Sequence, residues 1–215
     1  MSEINSINND ENDRINNLIK LSQNNDIFAF EELILQYEKR VYNIALRMFK
    51  NVEDAKDISQ DVFLKLYNNI KKFDYKSSFS TWLYRITVNT CIDEIRKRKG
   101  KEEFSIDDTN ENNNIKKEFS DNFLTPEENY MLKETRNEIL DSINNLSEEH
   151  KIIIILRDLQ GFSYNEISGI LNISVGTVKS RISRARLQLK NILLKNREQT
   201  KKNSVNSSIK ERRAK

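Results

Sequence analysis

An all-α fold, built as two small helical domains joined by a flexible acidic linker, is what the sequence predicts, and three observations predict it. The 215 residues contain 4 glycines and 1 proline, too few turn-formers for a protein built on sheets. Apolar residues recur at helical spacing over long blocks. Between two such blocks lies KEEFSIDDTNENNNIKKEFSDNF, Lys101 to Phe123, an acidic, asparagine-rich stretch with no sustained apolar period. The expected organisation is a disordered N-terminus over 1–13, a first domain over 14–99, the linker over 100–124, a second domain over 125–194 and a disordered basic tail over 195–215.

In the first domain, amphipathic helices are expected near Ile15 to Leu21, from about Phe28 to Phe49, from Val52 to Asn69 and from Phe79 to Lys99. Ala55, Ile58, Val62 and Leu66 make the packing stripe of the third. Asp54, Asp57 and Asp61 are expected along one exposed edge of that helix, with Gln60 beside them. Carboxylates in a row repel one another unless a basic partner meets them, so the edge reads as a protein-docking surface rather than a plain solvated face. A solvated helix edge offers no concavity for catalysis or for a metal.

The stretch from Lys71 to Lys99, KKFDYKSSFSTWLYRITVNTCIDEIRKRK, interleaves cations with aromatic rings. That mixture suits single-stranded DNA, because cations follow the backbone while rings stack on unpaired bases. Phe73, Tyr75, Lys76, Ser77 and Ser78 read as a loop that could capture a flipped base. Asn89, Asp93, Arg96 and Lys97 fall on the helix face away from Cys91, Ile92 and Ile95, and form a candidate reading face. For Phe79, Trp82 and Leu83 a place in the core is the favoured reading, and Cys91 is expected to be a buried thiol.

The second domain opens at Thr125-Pro126-Glu127-Glu128, where threonine suits an N-cap, proline the first helical position, and Glu128 closes a capping box. Further on, SYNEISGILNISVGTVKSRISRARLQL, Ser163 to Leu189, reads as two helices joined by a tight turn. Ser163 and Glu166 form a second capping box that starts a helix at Tyr164, and Asn172 tolerates the left-handed conformation that ends it. Ser174 caps the next helix, whose stripe of Val178, Ile182, Ala185 and Leu189 packs inward. Ser174, Val175 and Gly176 are small enough to let the helix N-terminus approach a phosphate, while Thr177, Lys179, Ser180, Arg181 and Arg184 supply polar and charged groups. This is the pattern of a helix-turn-helix for the DNA major groove.

Composition excludes several functions. The longest apolar run, Ile152 to Leu156, is too short to span a bilayer, and the polar N-terminus lacks the apolar core of a signal peptide, so no membrane insertion and a cytoplasmic location are expected. Cys91 and His150 are the only cysteine and histidine, which leaves no plausible zinc site, and no metal or cofactor is expected. No nucleotide-binding loop or nucleophile with a base appears, so the chain does not read as an enzyme. The net charge of +3 is too small to argue nucleic-acid binding; the segregation of acids from bases carries that inference. The basic tail adds either nonspecific DNA attraction or solubility.

Three blocks now resemble a known family. DAKDISQDVFLKLY (Asp54 to Tyr67), FSTWLYRITVNTCIDEIRKRK (Phe79 to Lys99) and LSEEHKIIIILRDLQGFSYNEISGILNISVGTVKSRISRARLQL (Leu146 to Leu189) are similar to the extracytoplasmic-function (ECF) sigma factors of the bacterial sigma-70 family. GTVKSRISRAR, Gly176 to Arg186, is the most specific of the signatures. The resemblance implies that the first domain is sigma region 2 and the second sigma region 4. It implies core RNA polymerase, promoter DNA and an anti-sigma factor as partners. Asp54, Asp57, Gln60 and Asp61 would dock on the beta-prime clamp helices. Tyr75, Lys76, Ser77, Ser78, Asn89, Asp93, Arg96 and Lys97 would read the minus-10 element. Ser174, Val175, Gly176, Thr177, Lys179, Ser180, Arg181 and Arg184 would bind the minus-35 element, with region 4 also touching the beta flap. The linker would thread toward the RNA exit path. Lys56 departs from the pattern, since many relatives carry glutamate there. A rival from another class is a free-standing helix-turn-helix regulator that binds duplex operator DNA unaided and has no need of the acidic edge.

Overall fold

The computed structural model describes residues 2–102 and 126–213, and the side chains of 12–100 and 134–199. The expected flexible linker and the Thr125 cap lie outside these residues. Every regular element among the described residues is helical: α1 (Ser2–Gln23), α2 (Ile27–Phe49), α3 (Val52–Asn69), a 3-10 turn (Ile70–Lys72), α4 (Phe79–Glu102), α5 (Pro126–Asn144), α6 (Glu148–Ile154) running into a π-turn (Ile155–Leu159), α7 (Tyr164–Leu171) and α8 (Val175–Arg213). The helices fall into two compact units, one holding those up to Glu102 together with Asn165–Ile173, the other holding the rest.

In the first unit, local chemistry sets the boundaries. Asn25 takes a left-handed turn (φ 67°), after which the Asp26 carboxylate accepts the Ala29 amide at 3.0 Å and opens α2. Lys50, also left-handed (φ 60°), closes α2 by donating its amide to the Leu46 carbonyl. The next residue, Asn51, accepts the amides of Glu53 and Asp54 at 2.8 and 3.3 Å, so a stop and a start are fused in two residues. Ile19, Leu33, Ile44, Ala45, Ala55, Val62, Leu66, Leu83 and Cys91 fill the core between α1, α2, α3 and α4. Cys91 is a buried thiol, as its phase predicts.

In the second unit, Ile143, Ile152, Ile153, Ile154, Ile155, Leu156, Val178, Ile182 and Ala185 form the core. At the π-turn the Gln160 amide reaches back five residues to the Ile155 carbonyl, and the whole run Ile152 to Leu156, from the end of α6 into that turn, is buried.

Helical backbone extends beyond both expected domain ends. Helix α1 begins at Ser2 rather than near Ile15, and α8 runs on past Leu194 to Arg213. Weak apolar patterning had argued for disorder at both ends. Neither stretch contains a glycine or proline to stop a helix, however, and the tail is rich in Lys and Arg, so each helix can propagate outward from a packed turn.

Candidate nucleic-acid and polymerase interface

Helix α3 presents Asp57, Gln60 and Asp61 to solvent, with exposed Leu64 one turn further along. Asp54 does not join them. Its carboxylate takes both terminal nitrogens of Arg98, on α4, at 2.7 and 2.8 Å, and only 24% of the side chain stays exposed. The expected edge of three aspartates is therefore an edge of two. On the helical wheel Asp54 lies on the side of Asp57 that borders the Ala55–Val62 stripe, within reach of an arginine from the packed neighbour.

Nothing in the sequence singles out Arg98, because it sits in a basic run, RKRK, that looks uniformly solvated. Its side chain also bonds Glu94 at 3.0 Å and lies 5.1 Å from the centre of the Phe49 ring. The bond from Arg98 is the main reason the Glu94 carboxyl is held below its ordinary range, and the Asp54 bonds raise the guanidinium further above its own. Lys56 pairs with Glu53 at 3.0 Å, one turn back on the same helix, and both stay exposed.

Between α3 and α4 the chain makes a tight aromatic loop. Phe73 is buried, with ring centres 4.8 Å from Tyr75, 5.2 Å from Trp82 and 5.6 Å from Phe79. Tyr75 stands 44% exposed in a left-handed conformation (φ 60°) that a non-glycine residue rarely takes. Partial burial raises its phenol above the ordinary value. Trp82, expected in the core, is half-buried against Phe73 and Phe79. Lys76 is exposed and pairs with Asp74 at 2.5 Å, a bond that lowers the Asp74 carboxyl and raises the ammonium. Ser77 is half-buried. Ser78 is committed to structure: its hydroxyl accepts the Thr81 amide at 3.2 Å and its carbonyl accepts that of Trp82, which starts α4. On α4 itself Asn89, Asp93, Arg96 and Lys97 are all exposed and share a face, as their spacing predicts, and Lys97 reaches Glu94 at 3.6 Å.

The two helices and the turn residue of the expected helix-turn-helix lie where the sequence places them. Helix α7 starts at Tyr164, Asn172 is left-handed (φ 54°), and the Ser174 hydroxyl accepts the Thr177 amide at 3.1 Å. Val178, Ile182 and Ala185 are buried, while Leu189 is only partly so. Along the opposite face Ser174, Gly176, Lys179 and Arg184 are exposed, and Val175, Thr177 and Ser180 partly so. Ser174 and Thr177 share a hydroxyl bond of 2.8 Å, Ser180 donates to the Thr177 carbonyl, and Arg184 reaches the Ser180 hydroxyl at 3.3 Å. Arg181 is partly withdrawn, paired with Glu149 at 3.5 Å. A side chain at Gly176 would meet nothing closer than the Ser174 hydroxyl at 3.8 Å, so the fold of the chain does not itself demand glycine there. His150, near the start of α6, bonds Gln188 at 2.5 Å.

Two family models match the chain: sigma-70 region 2 over residues 33–101 and sigma-70 region 4 over residues 136–189. The ECF RNA polymerase sigma factor SigW of Bacillus subtilis is 37% identical over 175 residues, which cover 80% of this chain and 92% of SigW. The ECF RNA polymerase sigma-E factor of Haemophilus influenzae is 36% identical over 177 residues, 81% of this chain and 92% of that one. The chain belongs to the ECF sigma factors of the sigma-70 family. It functions as an RNA polymerase sigma factor in transcription initiation. Among solved structures, the sigma factor RpoE of Bartonella quintana, crystallised with the anti-sigma factor NepR, matches this sigma factor with a TM-score of 0.61 at 25% identity over 76% of this chain and 96% of that one. CnrH, solved with the cytosolic domain of CnrY, shares the fold with a TM-score of 0.60 at 24% identity, over 85% and 97%. No helix among the described residues of the sigma factor is long and apolar enough to cross a membrane.

Proposed function

We propose that this sigma factor is a non-catalytic specificity subunit that binds core RNA polymerase and reads both promoter elements. The first domain, over 14–99, acts as region 2 and the second, over 125–194, as region 4, with residues 100–124 as the linker. Asp57, Gln60 and Asp61 dock on the beta-prime clamp helices, while Asp54 supports that face from behind through Arg98. Tyr75, Lys76 and Ser77 in the loop, with Asn89, Asp93, Arg96 and Lys97 on α4, engage the opened minus-10 strand. Ser78 contributes by capping α4. The α8 N-terminus enters the major groove at the minus-35 element. Its first amides and dipole meet a phosphate near Ser174, Val175 and Gly176, and Thr177, Lys179, Ser180 and Arg184 face the DNA, with Arg181 at its edge. Region 4 also meets the beta flap. An anti-sigma factor is a further partner, and the protein acts in the cytoplasm.

The reaction itself belongs to the polymerase. This chain supplies binding energy: each captured base recovers about 1 to 3 kcal/mol of stacking, against the few kcal/mol needed to unpair it. The observation that carries the reading is the match to SigW, which spans 92% of that protein, beside family models for region 2 and region 4 that match this chain in that order. Its test is a pull-down of bacterial core RNA polymerase with the purified protein beside an Asp57→Arg, Asp61→Arg variant. Retention by the wild type and loss by the variant is the expected result. Equal retention by both would remove the acidic edge from the interface.

A further inference from the structure

We propose that Gln23, the last residue of α1, is a positioning residue that fixes the loop Phe73–Ser78 in the form that receives an unpaired base. The role rests on the minus-10 reading above. Gln23 lies far away in sequence, yet its side-chain amide donates to the carbonyls of Ile70 and Phe73, each at 3.0 Å. Its oxygen faces the Tyr75 hydroxyl at 3.4 Å, a long contact. Two carbonyls on one side and a hydroxyl on the other leave a single orientation for the amide, because only its nitrogen can donate to the carbonyls.

The loop needs such a brace. Directly after Phe73 the chain must enter the left-handed conformation at Tyr75, a strain that persists only where the surroundings hold it. From the core side, Phe73 is held by Phe79 and Trp82. From the other side, Gln23 ties down the two carbonyls that bracket the turn before the loop. One ring is thereby anchored and its neighbour, Tyr75, is presented to solvent. A stacking platform that had to order itself as DNA arrived would lose part of its stacking energy to conformational entropy. Gln23 removes that loss in advance.

Trp82 is the only tryptophan, and its ring lies against Phe73, so its fluorescence reports on this loop. The test uses holoenzyme assembled from the full chain and bacterial core polymerase, with a single-stranded DNA that the wild type selects from a random decamer pool. Gln23→Ala should weaken binding of that strand about tenfold and make Trp82 more accessible to acrylamide, while polymerase capture and binding of minus-35 duplex are unchanged. Gln23→Glu should lose as much at neutral pH, since a carboxylate then faces two carbonyls. It should recover as the pH is lowered and the carboxyl gains a proton to donate. Should Gln23→Ala fail to fold, that recovery decides the matter, and its absence overturns the proposal. Tyr75→Ala separates the two levels. If it loses the strand and the Gln23 variants do not, Gln23 is not a positioning residue; if it too binds like wild type, or the wild type selects no strand, the minus-10 reading of the loop fails.

Discussion

Arg98 gathers Asp54, Glu94 and the Phe49 ring around one guanidinium, and this cluster makes the first unit sensitive to acid. The bond from Arg98 lowers the Glu94 carboxyl in the folded state below the ordinary 4.5 of a glutamate. A carboxylate depressed on folding adds stability above its unfolded value and loses it as the pH falls through the folded one. Denaturant midpoints should therefore drop on acidification below about 4.5, and Glu94→Gln should flatten that drop while lowering the midpoint at pH 7. An identical pH profile for the variant would mean that the pair adds nothing. The same cluster shows where sequence reading stops at the residue scale. By spacing Asp54 lies nearer the packing stripe than Asp57, but that spacing does not name a partner, and it is Arg98 arriving from another helix that sets Asp54 apart. Gln23 was silent for the same reason, since its partners are carbonyls that any residue possesses.

At the scale of elements, punctuation was legible and persistence was not. The starts of α3, α4 and α7 fall at the residues that capping and periodicity name, because caps and apolar phase are local properties. The extent of α1 and α8 was not, because helix continuation depends on a packed turn that the local pattern does not contain. The π-turn was hidden too, since a run of five apolar residues carries no period. Asn172 gives this scale its test. Its φ of 54° suits asparagine or glycine but strains a β-branched residue, so Asn172→Val should cost about 1 to 2 kcal/mol in thermal or urea unfolding. Asn172→Gly should stay near wild type. Equal stabilities for the two would show that the turn relaxes to accept either.

For the molecule as a whole, the small net charge of +3 conceals a division of labour between an acidic surface on α3 and a cationic one on α8. Promoter affinity should fall with salt as phosphate contacts release counterions. Arg184→Ala should weaken promoter binding by the holoenzyme by about 1 to 3 kcal/mol in a salt-controlled titration, and unchanged affinity would remove it from the interface. Both surfaces were legible because exposed charge at helical spacing is a property of the sequence. What the sequence did not show is that the recognition end of α8 and its core-facing stretch belong to one uninterrupted rod of 39 residues. Such a rod is a lever with its fulcrum in the hydrophobic core. Ser174 lies about 16 Å along the axis from Ala185, at 1.5 Å per residue, so a tilt of about 5° at the fulcrum swings the tip by about 1.4 Å, half the length of a hydrogen bond. On the minus-35 reading proposed above, core volume at the buried Ile182 and Ala185 would set the aim of that end without altering a single residue proposed to touch DNA.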